Sequence, residues 1–203
     1  MEKQRKTKIL AVGDIHANST SIKRLVETAK KENVDIVILA GDLTIAERDL
    51  KNIVGPFAKY HQVLLIPGNH ESVATIDFLA ELYKAKNIHG SYFIKYNLGI
   101  FGAGGADIGI HQVEESEISA LLKKGHEKIK NLEKKIMVTH IHPLGTKSEF
   151  SGFKGSKAVR KAIEEFQPDV AIHAHIHEAA GVEEQIGKTR VINVSKKGKV
   201  FEV

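Results

Sequence analysis

Five short apolar runs, Ile9 to Val12, Val34 to Ala40, Val63 to Ile66, Ile136 to Thr139 and Val170 to Ile172, each lead into residues with carboxylate, amide or imidazole side chains. Runs of this length and content read as buried strands. Segments with helical spacing separate the first three, so the N-terminal half is a repeated β-loop-α arrangement. That arrangement requires parallel strands joined by right-handed crossovers. Loops beyond the carboxyl ends of such strands line one crevice, where residues distant in sequence meet. On that rim the chain carries Asp14 and His16, Asp42, Asn69 and His70, His140, and finally His175 and His177. Carboxylates, imidazoles and one amide suit borderline divalent ions such as Mn²⁺, Fe²⁺ or Zn²⁺. The pattern reads as a binuclear metal site.

The helical segments expected from periodicity and capping are Ser19 to Asn33, Ala46 to His61 with a break or bend at Gly55-Pro56, Ser72 to Lys86, Glu115 to Leu132 and Ser156 to Phe166. Ser91 to Ile100, Val182 to Ile186, Arg190 to Val194 and Lys199 to Val203 read as strands, with Gly187-Lys188 and Lys197-Gly198 as hairpin turns. Two facing sheets enclosed by helices would bury both strand sets. The 203 residues contain no linker-like stretch, so one domain spanning 1–203 is expected.

The cysteine count of zero excludes disulfides, thiolate ligands and a cysteine nucleophile, leaving oxygen and nitrogen to hold a metal. Basic residues exceed acidic ones by 30 to 25 and gather in Lys3 to Lys8, Lys123 to Lys135 and Lys196 to Lys199. The middle run alternates with Leu121, Leu122, Ile129 and Leu132 as an amphipathic helix does, so a solvated lysine face is favoured over a nucleic-acid surface. Aromatic residues, at 6%, are too sparse for a base-stacking platform. With no long apolar span, and with MEKQRKTK leading into a short strand without the apolar run of a signal peptide, a cytoplasmic protein without a membrane partner is expected. A homo-oligomer is compatible with the chain but has no signature in it.

The histidine-rich C-terminal segment leaves its ligand pair open. His173, His175 and His177 would share one side of an extended strand, so spacing does not choose among them. His142 reads either as a substrate or ligand-supporting contact or as turn packing before Pro143, while His61, His89, His111 and His126 read as structural or surface histidines. Gly102-Ala103-Gly104-Gly105 reads as a tight turn, since it lacks the Walker lysine and the spacing of a dinucleotide loop. Gly152, Gly155 and Ser156 shape a loop and start a helix, with a role as a substrate-side lid left open.

In order along the chain stand Gly13-Asp14-Ile15-His16, Gly41-Asp42, Gly68-Asn69-His70-Glu71, Thr139-His140 and Ala174-His175-Ile176-His177. This series resembles the calcineurin-like metallophosphoesterases, and segments 155–169 and 175–195 look closest to small prokaryotic Icc-related phosphoesterases. The resemblance implies a four-layer α-β-β-α sandwich with two mixed β-sheets flanked by helices. It also implies that Asp14, His16, Asp42 and His177 hold one divalent ion and Asp42, Asn69, His140 and His175 the other. Asp42 would bridge them, with Mn²⁺ expected and Fe, Zn or Ni as alternatives.

The implied activity is hydrolysis of a phosphate ester, a diester before a monoester, by metal-bound hydroxide. His70 would serve as acid or phosphate-stabilising donor. A nuclease and a weakly catalytic metal-stabilised scaffold are the competing readings. Two departures stand out. Asp42-Leu43-Thr44-Ile45-Ala46 lacks the acidic residue and arginine of the protein-phosphatase branch, and Ala174 replaces a glycine, which puts the backbone turn before His175 in question. Substrate choice is expected to rest in loops 102–113 and 144–156.

Overall fold

A computed structural model describes residues 6–203, so Lys3 to Arg5 of the first basic run lie outside the described residues. In chain order the strands are β1 (Lys8–Val12), β2 (Ile36–Ala40), β3 (Gln62–Ile66), β4 (Lys86–Asn87), β5 (Ser91–Lys95), β6 (Leu98–Ala103), β7 (Lys134–Thr139), β8 (Val170–His173), β9 (Glu183–Ile186), β10 (Thr189–Asn193) and β11 (Lys199–Glu202). The helices are α1 (Ser19–Lys31), α2 (Gly55–Ala58), α3 (Val73–Tyr83), α4 (Glu115–Glu127) and α5 (Lys157–Phe166).

One sheet has the order β11-β1-β2-β3-β4, and the other β5-β6-β7-β8-β10-β9. The four strands β1 to β4 run parallel, with β11 antiparallel at the edge. In the second sheet β6, β7, β8 and β10 run parallel between antiparallel β5 and β9. Both sheets are therefore mixed, as the sequence resemblance implied.

Period-two alternation explains the layering, because neighbouring side chains of one strand enter different cores. Leu10, Val12, Val37 and Leu39 pack under α1 and α3 with Leu25 and Leu79. Their neighbours Ile9, Ile36 and Ile38 face the other sheet and meet Ile100, Ile136 and Ile172. On the far side, Phe101, Met137 and Val191 pack beneath Leu122 of α4 and Ile163 of α5. The result is a four-layer α-β-β-α sandwich. No helix among the described residues is long and apolar enough to cross a membrane.

Capping fixes where helices begin. Ser72 and Ser156 accept from Thr75 N and Val159 N, and Asn18, one residue ahead of the expected helix start at Ser19, accepts from Ser21 N. The lysines of α4 (Lys123 and Lys124) are exposed while Leu122 is buried, in line with a solvated face.

Four expectations are corrected. The helix expected over Ala46 to His61 is reduced to α2, because Ala46, Glu47, Asp49 and Asn52 all adopt left-handed backbone that no helix accommodates. Gly55-Pro56 starts that short helix instead of breaking it, since proline is compatible with a first turn. The single strand expected over Ser91 to Ile100 is a hairpin, β5 to β6, turning at Tyr96, whose φ is 54°. Lys197-Gly198 is no hairpin turn: β10 belongs to one sheet and β11 to the other, so this turn carries the chain between sheets. By contrast, Gly187-Lys188 does join the antiparallel pair β9 and β10.

Candidate metal centre

The carboxyl ends of β1, β2, β3, β7 and β8 deliver the candidate residues to one rim. At Asp14, His16, Asp42 and His175 the backbone turns sharply, with φ values of 55°, 46°, 50° and 70°. Such left-handed positions are strained for residues other than glycine and persist only where surrounding bonds hold them. Here Asp14 N donates to Gly41 O at 3.0 Å and His16 N to Asp42 O at 3.0 Å, stitching the first two loops together. Gly68 is required beside them, since a Cβ there would lie 2.0 Å from Asp42 Oδ1.

All eight sequence-derived residues meet. Asp14, His16 and His177 form one group whose ligand atoms lie within 4.8 Å of one another, and Asp42, His140 and His175 form a second. Asp42 Oδ2 stands between them, 3.4 Å from His140 Nε2, 4.0 Å from His16 Nε2 and 3.9 Å from His70 Nε2. His177 Nε2 approaches Asp14 Oδ1 at 3.4 Å and His16 Nε2 at 3.3 Å. Asn69 Oδ1 reaches His140 Nε2 at 3.1 Å.

Hydrogen bonds sort the imidazoles by role. His16 Nδ1 donates to Thr44 O at 3.0 Å and His140 Nδ1 to Ala40 O at 2.9 Å, which turns each Nε2 toward the carboxylates. His70 is the reverse case: its Nδ1 accepts from Ala46 N at 3.2 Å, leaving Nε2 as the N–H donor. The first arrangement suits a metal ligand, the second a proton or hydrogen-bond donor.

The electrostatics call for added positive charge. Burial opposes ionisation of Asp42, but His140 and His70 outweigh it and hold the carboxyl well below its ordinary range. Asp14 is also lowered, burial being overcome by His177 and His140. His140 is fully buried, yet Asp42 and Asp14 raise it to about 9, while burial and the neighbouring His140 push His175 down to about 4. Asp14 Oδ1, meanwhile, is a buried carboxylate oxygen that no well-aligned hydrogen bond satisfies among the described residues, with His177 Nε2 beside it at 3.4 Å. An oxygen and nitrogen donor set with an orphaned carboxylate oxygen fits divalent cations. Two candidate clusters sharing a rim fit a binuclear site.

The strand ends at His173, which resolves the alternating histidines. His175 adopts left-handed backbone and His177 opens a 3₁₀ turn (His177–Ala179), so both leave the strand direction. His173 stays in the core, where burial lowers it to about 3. His142 is likewise buried, 6.1 Å ring to ring from His173, and its Nε2 donates to Phe153 O at 3.2 Å.

Sequence reasoning gave Glu71 no task beyond completing a motif. It is fully buried, accepting from Thr44 N and Thr44 Oγ1 at 2.7 Å and from Gly68 N at 3.1 Å. Burial and nearby Asp42 raise its pKa. Glu71 thus ties the loop of Asp42 to the loop of Asn69 and His70. Glu47, also missed, accepts from Ser72 N and Thr75 Oγ1, which fastens the same loop to α3. An acid directly after Asn69-His70 was the available signal for the first; the second had none.

Ala174 needs no glycine-like backbone, because the positive φ falls on His175. Its methyl instead fills space left by Gly13, where an added Cβ would lie 2.4 Å from Ala174 Cβ and 3.1 Å from Ala40 O. Gly13→Ala should therefore destabilise the fold by about 1–3 kcal/mol through overpacking, with Ala174→Gly recovering part of the loss. Urea unfolding of both single variants and the double variant checks this; additive effects would contradict the contact.

The family model described as calcineurin-like phosphoesterase matches residues 7–179. No curated protein matches the chain. Among solved structures, TT1561 of Thermus thermophilus is similar with a TM-score of 0.77 at 18% identity, covering 97% of this chain and 99% of that one. A dimetal phosphatase from Danio rerio gives 0.57 at 12% identity, covering 92% and 86%. An archaeal phosphodiesterase gives 0.56 at 16% identity, covering 97% and 100%. At these identities the structural likeness carries the fold alone. The family match over most of the chain, together with the metal-binding clusters, makes the chain a member of the calcineurin-like phosphoesterases and a metal-dependent enzyme.

Proposed function

We propose that the chain is a binuclear phosphodiesterase, in which Asp14, His16, Asp42 and His177 hold one divalent ion and Asp42, Asn69, His140 and His175 the other. The observation that carries the reading is the position of Asp42 Oδ2, within 4.0 Å of imidazole nitrogens from three other loops. A carboxylate so placed is suited to bridge two cations. When bound, such ions supply Lewis-acid charge and an activated water.

The remaining work falls to the chain. His70, with Nε2 carrying the proton and lying 3.9 Å from Asp42 Oδ2, is suited to donate to a phosphoryl oxygen or to the leaving group. Asn69 offers a neutral oxygen, which adds no repulsion toward an anionic ester. Mn²⁺ is the ion we favour for this mixture of carboxylates, amide and imidazoles.

Charge supports a diester. Among the described residues, no lysine or arginine pairs with any of the eight site residues, whose partners are backbone groups, carboxylates, Asn69 and imidazoles. A diester monoanion needs less cationic compensation than a monoester dianion. Within the family, segments 155–169 and 175–195 support a place near the Icc-related branch. With Mn²⁺ bound, kcat/KM for bis(p-nitrophenyl) phosphate is expected to exceed that for p-nitrophenyl phosphate by about tenfold or more. A preference for the monoester would reverse the assignment, and turnover of neither would favour a scaffold.

A further inference from the structure

We propose that the loop from Pro143 to Ser156 is the specificity element of the site, seating an aromatic ring of the phosphate ester against Phe150 and Phe153. This inference rests on the phosphoester reading above and adds to it the class of organic group recognised.

The loop starts three residues after His140 and returns to the same place. Ser156 N donates to His142 O at 2.8 Å and Leu144 N to Ser156 O at 3.0 Å, closing its neck. Glu149 Oε1 accepts from Gly145 N at 3.0 Å and from Gly155 N at 2.9 Å, one bond from each side of the loop. These two bonds also lower the Glu149 carboxyl. His142 completes the brace, its buried ring reaching from beside His140 to Phe153 O. Compact loops with joined ends of this kind are ordered surface structures that frequently carry function.

The tip of this ordered loop is apolar. After a short 3₁₀ turn, Lys147–Ser151, the chain reverses at Gly152, whose φ is 89°. Phe150 is 65% exposed and Phe153 53%, and of the strongly exposed large hydrophobics only Phe78 is another phenylalanine. The turn that carries Phe150 packs on the 3₁₀ turn opened by His177, so two exposed aromatic side chains stand on a braced loop next to the candidate metal rim.

The other loops leaving the rim share this character. Ile45 is exposed next to Ala46, which bonds His70. Exposed Ile108 and Ile110 flank Gly109, where an added Cβ would lie 2.5 Å from Asn69 Nδ2. Polar, charge-bearing groups at the base with apolar groups around them are the makeup of a small-molecule site. Phenylalanine favours a ring over a short alkyl arm, because ring faces and edges pair by stacking or T-shaped contact.

Calorimetric titration of the Mn²⁺-loaded protein with phenylphosphonate and methylphosphonate tests this without turnover, since neither anion has an ester to cleave. The wild type is expected to bind the phenyl compound about tenfold more tightly. The Phe150→Ala/Phe153→Ala double variant should bring that ratio close to one. Both side chains are exposed, so the variant is expected to melt with the wild type. Equal binding of the two anions by the wild type, or an unchanged ratio in the double variant, overturns the loop assignment while leaving the phosphoester reading intact. Failure of both anions to bind overturns this inference, and the phosphoester reading falls with it only if bis(p-nitrophenyl) phosphate is not turned over either.

Discussion

Asp42→Ala is expected to lower phosphoester turnover by about 10³-fold or more and to reduce bound metal, because it removes the carboxylate proposed to bridge the two ions. The oxygen facing the histidines, Oδ2, would be lost, and so would Oδ1, which accepts from His70 N at 3.0 Å. The loop carrying Asn69 and His70 would then lose one of its anchors together with a buried negative charge. Asp42→Asn separates the effects, since its amide oxygen can still accept from His70 N while the charge is gone. Turnover assayed with elemental metal analysis reads both variants. Full activity in Asp42→Ala would remove Asp42 from the site.

Glu71→Ala should act through the fold. It would leave Thr44 N and Gly68 N without their acceptor in a fully buried position. Each unsatisfied buried donor costs about 1–3 kcal/mol, so a loss of about 2–6 kcal/mol in unfolding free energy is expected, to which the cavity left by the lost methylene and carboxylate adds. Glu71→Gln keeps one acceptor oxygen and should lose less. Chemical denaturation gives both numbers. A variant as stable as the wild type would show that water replaces the bracket and that Glu71 does not hold the two loops together.

The candidate residues were legible because each is written locally, as a short apolar run followed by a liganding side chain. Parallel strands bring those ends together whatever lies between them. The geometry beyond the candidate residues was not legible. Residues 46–54 have helix-compatible composition, but Thr44–Glu71 and Glu47–Ser72 hydrogen bonds span 25 or more positions and bend them into left-handed turns. Local periodicity carries no trace of such bonds.

The turn at Lys196 to Gly198 shows the same limit. Its residues announce a reversal, yet the partner of β11 is β1, at the other end of the chain. At His173, His175 and His177 the period-two pattern pointed to one continuous strand face. The backbone turn at His175, whose N–H donates to Asp14 Oδ2 at 3.0 Å, separates the core histidine from the two at the rim. That separation depends on a residue 161 positions away.

A pair of cations sharing Asp42 is tested most directly by a metal titration of chelator-stripped protein, followed at once by calorimetry and by hydrolysis of bis(p-nitrophenyl) phosphate. Two equivalents of Mn²⁺ are expected to bind per chain, with turnover appearing as the second site fills. Saturation at one equivalent with full activity, or full activity in the stripped protein, would contradict it.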